Sequence, residues 1–201
     1  MAKLKIVVAT FNQDKIREIE DFFDGWPLEF LALNSYTSQV PKEDGDSFEA
    51  NARIKAEYGY AVCGLPSLAD DSGLEVDALG GAPGILSSRY AGPDADYAAN
   101  NQKLLRELAN VPLADRTARF RCVMVLLGID YEPLVCQGVC QGHIALEPAG
   151  SGGFGYDPLF VPQGSELTLA QYTLEDKNSI SHRARALASL ASELGNRGLL
   201  E

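Results

Sequence analysis

The sequence predicts an α/β fold with a mixed sheet. Short β-branched runs alternate with segments whose apolar residues recur at helical spacing, which is typical of βαβ organisation. Two longer apolar runs are separated only by the residues DYEP, which predicts an antiparallel hairpin. The chain has 201 residues, of which 46% are hydrophobic. We therefore expect a single domain, residues 1–201, or two intimate lobes with a full core.

The first elements are predicted to be a strand, a helix, a second strand and a second helix. The run KLKIVVAT predicts a buried strand, and LEFLAL predicts another. The helix between them ends near Gly25 and has apolar residues at helical spacing, namely Ile16, Ile19, Phe22 and Phe23. The second helix is expected from about Ser47 to Cys63.

The rest of the chain continues this mixture of strands and helices. The predicted elements are a third strand and its exit at 66–79, a helix at 94–111 closed by Pro112, two long strands at 116–129 and 133–146, a Gly- and Pro-rich loop at 147–164, and a last helix that begins near Ser179 or Ser181.

The charge of the chain argues against two classes of partner. The net charge is −11 at pH 7, so a broad surface for DNA or RNA is not expected, because affinity for phosphate backbones comes from Lys and Arg. No apolar run approaches the ~18 residues that a membrane span requires. The stretch MAKLKIVVAT is too short for a signal peptide, and we expect a cytoplasmic protein.

The cysteines are predicted to be reduced and mostly buried. None of the four forms a C-x-x-C pair, and the chain has only two histidines, so a zinc site is not expected. The four are Cys63, Cys122, Cys136 and Cys140.

The turn between the first strand and the first helix has two interpretations. Unpaired N–H groups at a helix N-terminus suit an anion, and Lys15 would add a positive charge. Alternatively, Asn12 or Thr10 caps the helix and Lys15 is solvated.

Two adjacent carboxylates, Asp70 and Asp71, follow the apolar start of the third strand. Neighbouring residues on a strand point to opposite faces, so these two are not expected to form an acid–base dyad with each other. Carboxylates at a strand end suit Mg²⁺, which prefers oxygen ligands and retains waters and substrate phosphates. A turn in which Asp71 and Ser72 cap backbone amides is the alternative, and this segment alone favours it.

Two further segments hold polar groups that suit either a site or a plain surface. Glu43 precedes the second helix and Lys55 lies inside it, where both could simply be solvated. In GSGGFGYDPLF, Phe154 and Tyr156 could offer a ring on which a base stacks, and Asp157 could accept from a ring N–H. A loop whose aromatic residues fold onto the core explains the same residues equally well.

Lys177, His182 and Arg183 cluster just before, or in the first turn of, the last helix. The helix dipole disfavours basic residues at that end, so we expect an anion or an acceptor-rich group beside them. This departure from a local rule is the strongest sign of a functional site that the residues alone provide.

Five motifs then occur in one order, namely TFNQDK, ADDSGLEVDALGGAPG, SSRYAG, GGFGYDPLF and KNSISHR. With them the chain resembles the noncanonical purine nucleoside triphosphate pyrophosphatases, also called inosine/xanthosine triphosphate pyrophosphatases, over nearly its whole length. The resemblance implies an α/β fold with a long mixed sheet and two lobes that flank a cleft. It also implies a homodimeric, Mg²⁺-dependent enzyme that clears ITP, dITP and XTP from the nucleotide pool. The products would be the monophosphate and pyrophosphate.

The resemblance further implies roles for the matched residues. Asp71 would be the proton acceptor and, with Glu43, a metal ligand, while Lys55 and Ser72 would contact the substrate. The phosphate-binding turn would comprise Thr10, Phe11, Asn12, Gln13, Asp14 and Lys15. The nucleobase pocket would comprise Phe154, Gly155, Tyr156, Asp157, Lys177, His182 and Arg183. Donors such as Lys177 and Arg183 would match the 6-oxo group of hypoxanthine and xanthine and mismatch the 6-amino group of adenine.

The chain departs from the family pattern at three places. Phe11 stands where a small or polar residue is usual, and Leu86 and Ser88 stand where Tyr and Ala are common. Ala50 replaces a Glu that would complete a capping box with Ser47. Because Asp46 and Glu49 offer the same pattern one residue earlier, we predict that the second helix begins one residue early.

Two other functions are compatible with such a chain. One is a nucleotide-binding regulator that has lost hydrolysis, which the retention of Asp71 and the lysines disfavours. The other is a related enzyme that acts on modified pyrimidine nucleotides or removes phosphate, which the SHR and FGYD motifs disfavour.

Overall fold

The computed structural model describes residues 3–200, so residues 1, 2 and 201 of the predicted domain lie outside the described part. Its strands form one six-stranded sheet in the order β2-β1-β3-β4-β5-β6. The strands are β1 (Leu4–Val8), β2 (Leu28–Ala32), β3 (Ser67–Val76), β4 (Thr117–Leu127), β5 (Leu134–Ile144) and β6 (Phe160–Pro162). β1 pairs in parallel with β2 and β3, whereas β5 and β6 are antiparallel. The predicted α/β fold with a mixed sheet is therefore confirmed.

Five α-helices accompany the sheet in the described residues. They are α1 (Gln13–Phe22), α2 (Phe48–Cys63), α3 (Tyr97–Glu107), α4 (Leu174–Ile180) and α5 (His182–Asn196). No helix of residues 3–200 is both long enough and apolar enough to cross a membrane.

The chain divides into two compact units, each assembled from separate stretches of sequence. The first comprises the residues up to Asp71, Cys122–Gly138 and the residues from Arg183 onward. The second comprises Ser72–Arg121 and Val139–His182.

In the first unit, helices cover both faces of the strands. Ile6 and Val8 of β1 pack with apolar residues of α1 and α5 in one core cluster. Val7, between them on the strand, packs with Ala52 and Ala56 of α2 in another. The alternation of a buried strand thus places α1 and α5 on one face and α2 on the other.

In the second unit, α3 contributes to a single core cluster. Leu104 of α3 packs there with Leu74 and Val76 of β3 and with Phe120 of β4. Tyr156, from the Gly-rich loop, is also buried in this cluster.

Three predicted boundaries differ from the structure. β3 continues through both aspartates to Val76, so these are mid-strand residues and do not end the strand. The loop predicted at 147–164 contains the short strand β6. The predicted last helix is preceded by the separate helix α4, and the extended backbone of Ser181 (φ −67°, ψ 158°) divides the two.

The prediction that α2 begins one residue early is wrong. Ser47 is the N-cap, and its hydroxyl accepts a hydrogen bond from the amide of Ala50 (3.2 Å). The amide of Gly45 also donates to Asn51 Oδ1 (2.9 Å), which folds the incoming chain back over the first turn. This second contact fixes the entry to the helix without the Asp46–Glu49 pattern.

The cysteines are free thiols, as predicted. Three are buried, and Cys63 at the end of α2 is partly exposed.

Candidate functional site

The two aspartates of β3 lie just beyond the point where β1 ends. β1 pairs with β3 only at Ser67 and Leu68, so Asp70 and Asp71 follow the carboxyl end of a parallel pair. Ligands of open α/β sheets bind outside such strand ends. As predicted, the two carboxylates face different elements, because Asp70 contacts residues of α1 and α5 and Asp71 contacts α2.

Asp71 belongs to a group of residues around one ammonium. Lys55 Nζ donates to Asp71 Oδ1 (3.0 Å) and to Glu43 Oε2 (3.1 Å). Asn51, one helical turn before Lys55 on α2, donates through Nδ2 to Asp71 Oδ2 (3.2 Å). Asn51 is not among the residues expected from the sequence, although an Asn four residues before a Lys in a mostly apolar helix is a detectable signal. The structure thus places Glu43, Lys55 and Asp71 together.

Burial and charge act in opposite directions on this group. Burial raises the pKa of the Asp71 carboxyl above its usual value, and Lys55 and Lys15 offset this rise only in part. Burial lowers the pKa of Lys55, but the carboxylates of Asp71, Asp70 and Glu43 outweigh it, so the net pKa is raised. Lys55 therefore stays charged at neutral pH, and Asp71 is more basic than a free aspartate.

Asp70 belongs to a second group, on the opposite face of β3. Its Oδ2 accepts from Lys15 Nζ (2.9 Å) of α1 and from Arg183 Nη2 (3.0 Å) of α5. The same guanidinium donates through Nη1 to the buried Glu18. Burial alone would raise the pKa of Asp70, but Lys15 and Arg183 outweigh it and hold this pKa well below its usual range. Asp70 is therefore a permanent anion.

Arg183 lies beside an acceptor-rich group, as a basic residue at a helix N-terminus predicts. The residue is 1% exposed, and two of its neighbours are carboxylates. A role for Arg183 in contacting a base remains a prediction, and the contacts seen here fix Asp70 and Glu18.

The turn before α1 is capped, as the second interpretation of the sequence predicts. Asn12 is the N-cap, and its Oδ1 accepts from the amides of Asp14 (2.9 Å) and Lys15 (3.3 Å). The hydroxyl of Thr10 accepts from the amide of Asn12 (3.2 Å). Gln13 is exposed, and Phe11 packs against the core cluster on the α2 side. The cap is thus confirmed, while Lys15 is held by Asp70 and is not simply solvated.

A separate group of predicted residues lies in the second unit. Asp157 Oδ2 accepts from the amide of Phe154 (2.9 Å) and from Lys177 Nζ (2.9 Å), and both Asp157 and Lys177 are buried. Lys177 Nζ also lies 4.7 Å from the centre of the Phe154 ring. This is a cation–π contact that fixes one side of a partly exposed aromatic ring.

The other predicted residues of this group have mainly structural contacts. The Tyr156 ring is buried, which agrees with the alternative of an aromatic residue folded onto the core, and of the two rings Phe154 is the one that is partly exposed. His182 stacks on Phe120 with ring centres 4.7 Å apart. Ser72 is partly exposed on β3.

The group around Lys55 has the donor set of a magnesium site. Among residues 3–200, no three His, Cys, Asp or Glu side chains are arranged to hold a metal. Mg²⁺ needs fewer protein ligands, because it uses one or two carboxylates and completes its coordination shell with waters and phosphates. Glu43 and Asp71 offer hard oxygens to one shared cation, Lys55, so this place already concentrates negative charge. The residues fit the ion.

The fold and these charged groups define an α/β protein with carboxylates and lysines grouped just beyond the end of β1. The sequence profile of the Ham1 family matches residues 6–193. The chain belongs to the Ham1 family.

Named relatives agree with this assignment. The dITP/XTP pyrophosphatase of Geobacter sulfurreducens is 47% identical over 97% of this chain and 98% of its own length. That of Escherichia coli (strain K12) is 46% identical over 96% of this chain and 98% of its own. Among solved structures, a HAM1 protein from Coxiella burnetii has a TM-score of 0.88 and 42% identity, covering 96% of this chain and 99% of that one.

Proposed function

We propose that this chain hydrolyses noncanonical purine nucleoside triphosphates, namely dITP, XTP and ITP, to the monophosphate and pyrophosphate. The observation on which the proposal chiefly depends is the group in which Lys55 joins Asp71 and Glu43. The relatives named as dITP/XTP pyrophosphatases support the substrate class. The proposed role is to clear these nucleotides from the pool before they enter DNA or RNA.

In the proposed reaction, Asp71 acts as the base. Its raised pKa suits a carboxylate that accepts a proton from the attacking water. The water oxygen bonds to the α-phosphorus, the bond to the bridging oxygen breaks, and pyrophosphate leaves. Asn51 and Lys55 orient the Asp71 carboxylate by one hydrogen bond to each of its oxygens.

Charge neutralisation is the second part of the proposal. Glu43 and Asp71 would hold Mg²⁺, which when bound would neutralise phosphate oxygens and polarise the phosphorus that is attacked. Lys55 and Lys15 would lie near the phosphates, with Thr10, Phe11, Asn12, Gln13 and Asp14 forming the turn beside them. A highly charged substrate needs such fixed positive groups.

Base recognition is assigned to the group around Phe154, Asp157 and Lys177. Phe154 would stack on the purine, and Lys177 would donate to its 6-oxo group, with Gly155, Tyr156, Asp157 and His182 shaping the pocket. Ser72 would contact the substrate, and Arg183 would support base selection. Adenine would present a 6-amino donor to Lys177 in place of an acceptor, which lowers its transition-state binding.

The setting of the enzyme is also part of the proposal. We expect a homodimer in the cytoplasm, which a molar-mass measurement by light scattering and fractionation of cells would check.

The experiment that tests the function is a pyrophosphate-release screen. Purified protein is assayed against ITP, XTP, dITP and the four standard triphosphates, with and without Mg²⁺. We expect release from the noncanonical purines only with the metal. Binding without release from any nucleotide would favour the regulator instead.

The variant Asp71→Asn tests the assigned base. We expect kcat to fall by a factor of about 10²–10⁴, the usual contribution of a positioned general base, while nucleotide binding survives. Turnover of dITP at the wild-type rate would exclude this role for Asp71.

A further inference from the structure

Helix α3, which none of the five motifs includes, contacts the Phe154–Asp157 turn at two places. Asn101 Nδ2 donates to the carbonyl of Gly155 (2.9 Å). One helical turn earlier, the Tyr97 ring lies 6.2 Å from the Phe154 ring. Both contacts come from one face of α3, because residues four apart lie on the same side of a helix.

The neighbouring residue fixes α3 to a second segment. Asn100 is 2% exposed, and its Oδ1 accepts from the amide of Ala91 (2.7 Å) while its Nδ2 donates to the carbonyl of Ser88 (3.1 Å). A 3₁₀ helix, Gly84–Arg89, precedes Ala91. It is bonded to the Phe154–Asp157 turn, because the Tyr156 hydroxyl donates to the carbonyl of Ser87 (2.9 Å). The turn, α3 and this segment therefore form one closed set of hydrogen bonds.

Of the two polar atoms of the Asn101 side chain, only Nδ2 has a hydrogen-bond partner among the described residues. Its Oδ1 is buried and has no hydrogen-bond partner among the described residues. A buried acceptor without a donor is destabilising, and an apolar side chain of similar size would avoid it. Stability of the fold alone therefore gives little reason for an amide here, and among residues 3–200 the bond to Gly155 is the contact that requires it.

We propose that Asn101 is a positioning residue for base recognition. By fixing the Gly155 peptide, it sets the angle of the Phe154 ring, which Lys177 fixes from another side. Asn101 acts through Phe154 and touches no reacting atom. This inference rests on the proposed function, since it concerns the residues to which base binding is assigned.

The test compares Asn101→Leu and Asn101→Asp with the wild type. Both variants keep a side chain of similar size and lose the N–H that donates to Gly155. Gln102→Leu is the matched control, because Gln102 is the next residue of α3 and is exposed. For each protein, kcat and KM are measured with ITP and ATP, dissociation constants with IMP and AMP, and the midpoint of thermal unfolding.

We expect both Asn101 variants to be less selective for ITP over ATP, mainly because the KM for ITP rises relative to that for ATP. One neutral hydrogen bond corresponds to a factor of about 2–12 in an equilibrium constant, so the ITP/ATP ratio of kcat/KM should narrow by that factor. The preference for IMP over AMP should narrow equally. Asn101→Leu should unfold within about 4 °C of the wild type, and Gln102→Leu should change nothing.

Two results would overturn the inference. One is that ITP and ATP turnover fall together with the unfolding midpoint, which is what a purely structural residue predicts. The other is that neither variant changes either ratio. A failure of the proposed function is distinct, since it shows as a wild type that releases no pyrophosphate from ITP, and the IMP/AMP preference then still tests Asn101.

Discussion

At the scale of single residues, β3 gives two identical side chains opposite properties. Asp70 is held as an anion by Lys15 and Arg183, whereas burial makes Asp71 more basic than usual. The difference arises only from the face of the strand to which each belongs. Residue type therefore predicts neither role, and the alternation of the strand predicts that the roles differ.

Asp70→Asn should destabilise the protein in a pH-dependent way. The folded-state pKa of Asp70 is lowered, so its contribution is fully present above the unfolded value of about 4 and is lost as the pH falls below it. Removing one partner of a buried ion pair costs about 3–5 kcal/mol. Urea unfolding between pH 3 and pH 7 measures the free energy of unfolding of both proteins.

The deficit of Asp70→Asn should be constant from pH 5 to pH 7 and should shrink below pH 4. Asp24→Asn, at an exposed position, is the control and should be nearly neutral throughout. An equal deficit at pH 3 and pH 7 would contradict the assigned charge state.

Gly153→Ala should disrupt the Phe154–Asp157 turn. Gly153 has a φ of +69°, and an added Cβ would lie 2.9 Å from Asp157 Cγ, where the carboxylate cannot move without leaving Lys177.

The control is Gly155→Ala, because Gly155 has a similar φ of +63° with open space around it. The control carries only the left-handed strain of about 1–2 kcal/mol. Gly153→Ala should lose at least about 1 kcal/mol more through overpacking. Equal losses in unfolding free energy would mean that the clash is relieved elsewhere.

At the scale of secondary-structure elements, α2 approaches the sheet unusually closely at one glycine. A Cβ on Gly59 would overlap the hydroxyl of the fully buried Ser67 in β3 and lie 2.9 Å from the Cβ of Ala9. This close approach brings the helix that carries Asn51 and Lys55 against the strand that carries Asp71.

Gly59→Ala should therefore destabilise the protein, although alanine is the better helix former. Overpacking costs about 1–3 kcal/mol, more than the gain of up to about 1 kcal/mol from helix propensity. Gly195→Ala in α5 is the matched control, since its nearest neighbour would be 3.9 Å away, and it should be neutral or stabilising. Guanidinium unfolding of both variants measures the difference, and a stabilised Gly59→Ala would show that α2 can shift outward.

The elements also show what the sequence can and cannot predict. The strand–helix unit at the N-terminus and the cap at Asn12 follow from local patterns, and both are present. The prediction for the start of α2 is wrong because Ser47 itself caps the helix and the local bond between Gly45 and Asn51, six residues apart, belongs to no short motif. α4 was missed because its seven residues are too few to show a helical period.

The residues of the candidate site also divide into those that the sequence predicts and those that it does not. Asp71 lies in one of the five motifs, whereas Lys55 and Glu43 are expected from the resemblance alone, and the structure brings the three together. Glu18 and Asn101 have no motif, since their importance depends on a partner 165 residues away for one and 54 residues away for the other.

At the scale of the whole molecule, the balance of charges around β3 explains why the binding of a polyphosphate there needs an added cation. Three cations (Lys15, Lys55 and Arg183) face four carboxylates (Glu18, Glu43, Asp70 and Asp71) within a chain whose net charge is −11. This group alone is therefore not a favourable place for a polyphosphate. One divalent cation would reverse its net sign.

Ligands should consequently stabilise the protein only in combination. IMP, pyrophosphate and Mg²⁺ together, at about a hundredfold above the dissociation constant, should raise the unfolding midpoint by about 5–10 °C. Omitting the metal, or adding a chelator, should remove most of this shift in a thermal-unfolding assay. A shift of the same size with AMP in place of IMP would contradict the assigned selectivity for the base.

The back-to-back aspartates of β3 also limit how the length of this chain can vary. Inserting or deleting one residue between Ser67 and Asp70 would turn each carboxylate to the other side of the strand. A deletion would bring Asp71 to the place of Asp70, beside Arg183, and an insertion would bring Asp70 to the place of Asp71, beside Asn51. Substitutions along this strand can be graded by size and polarity, whereas a single change of length there places one carboxylate in the surroundings of the other. Homologous chains should therefore vary in length in their loops and keep the number of residues in this strand constant.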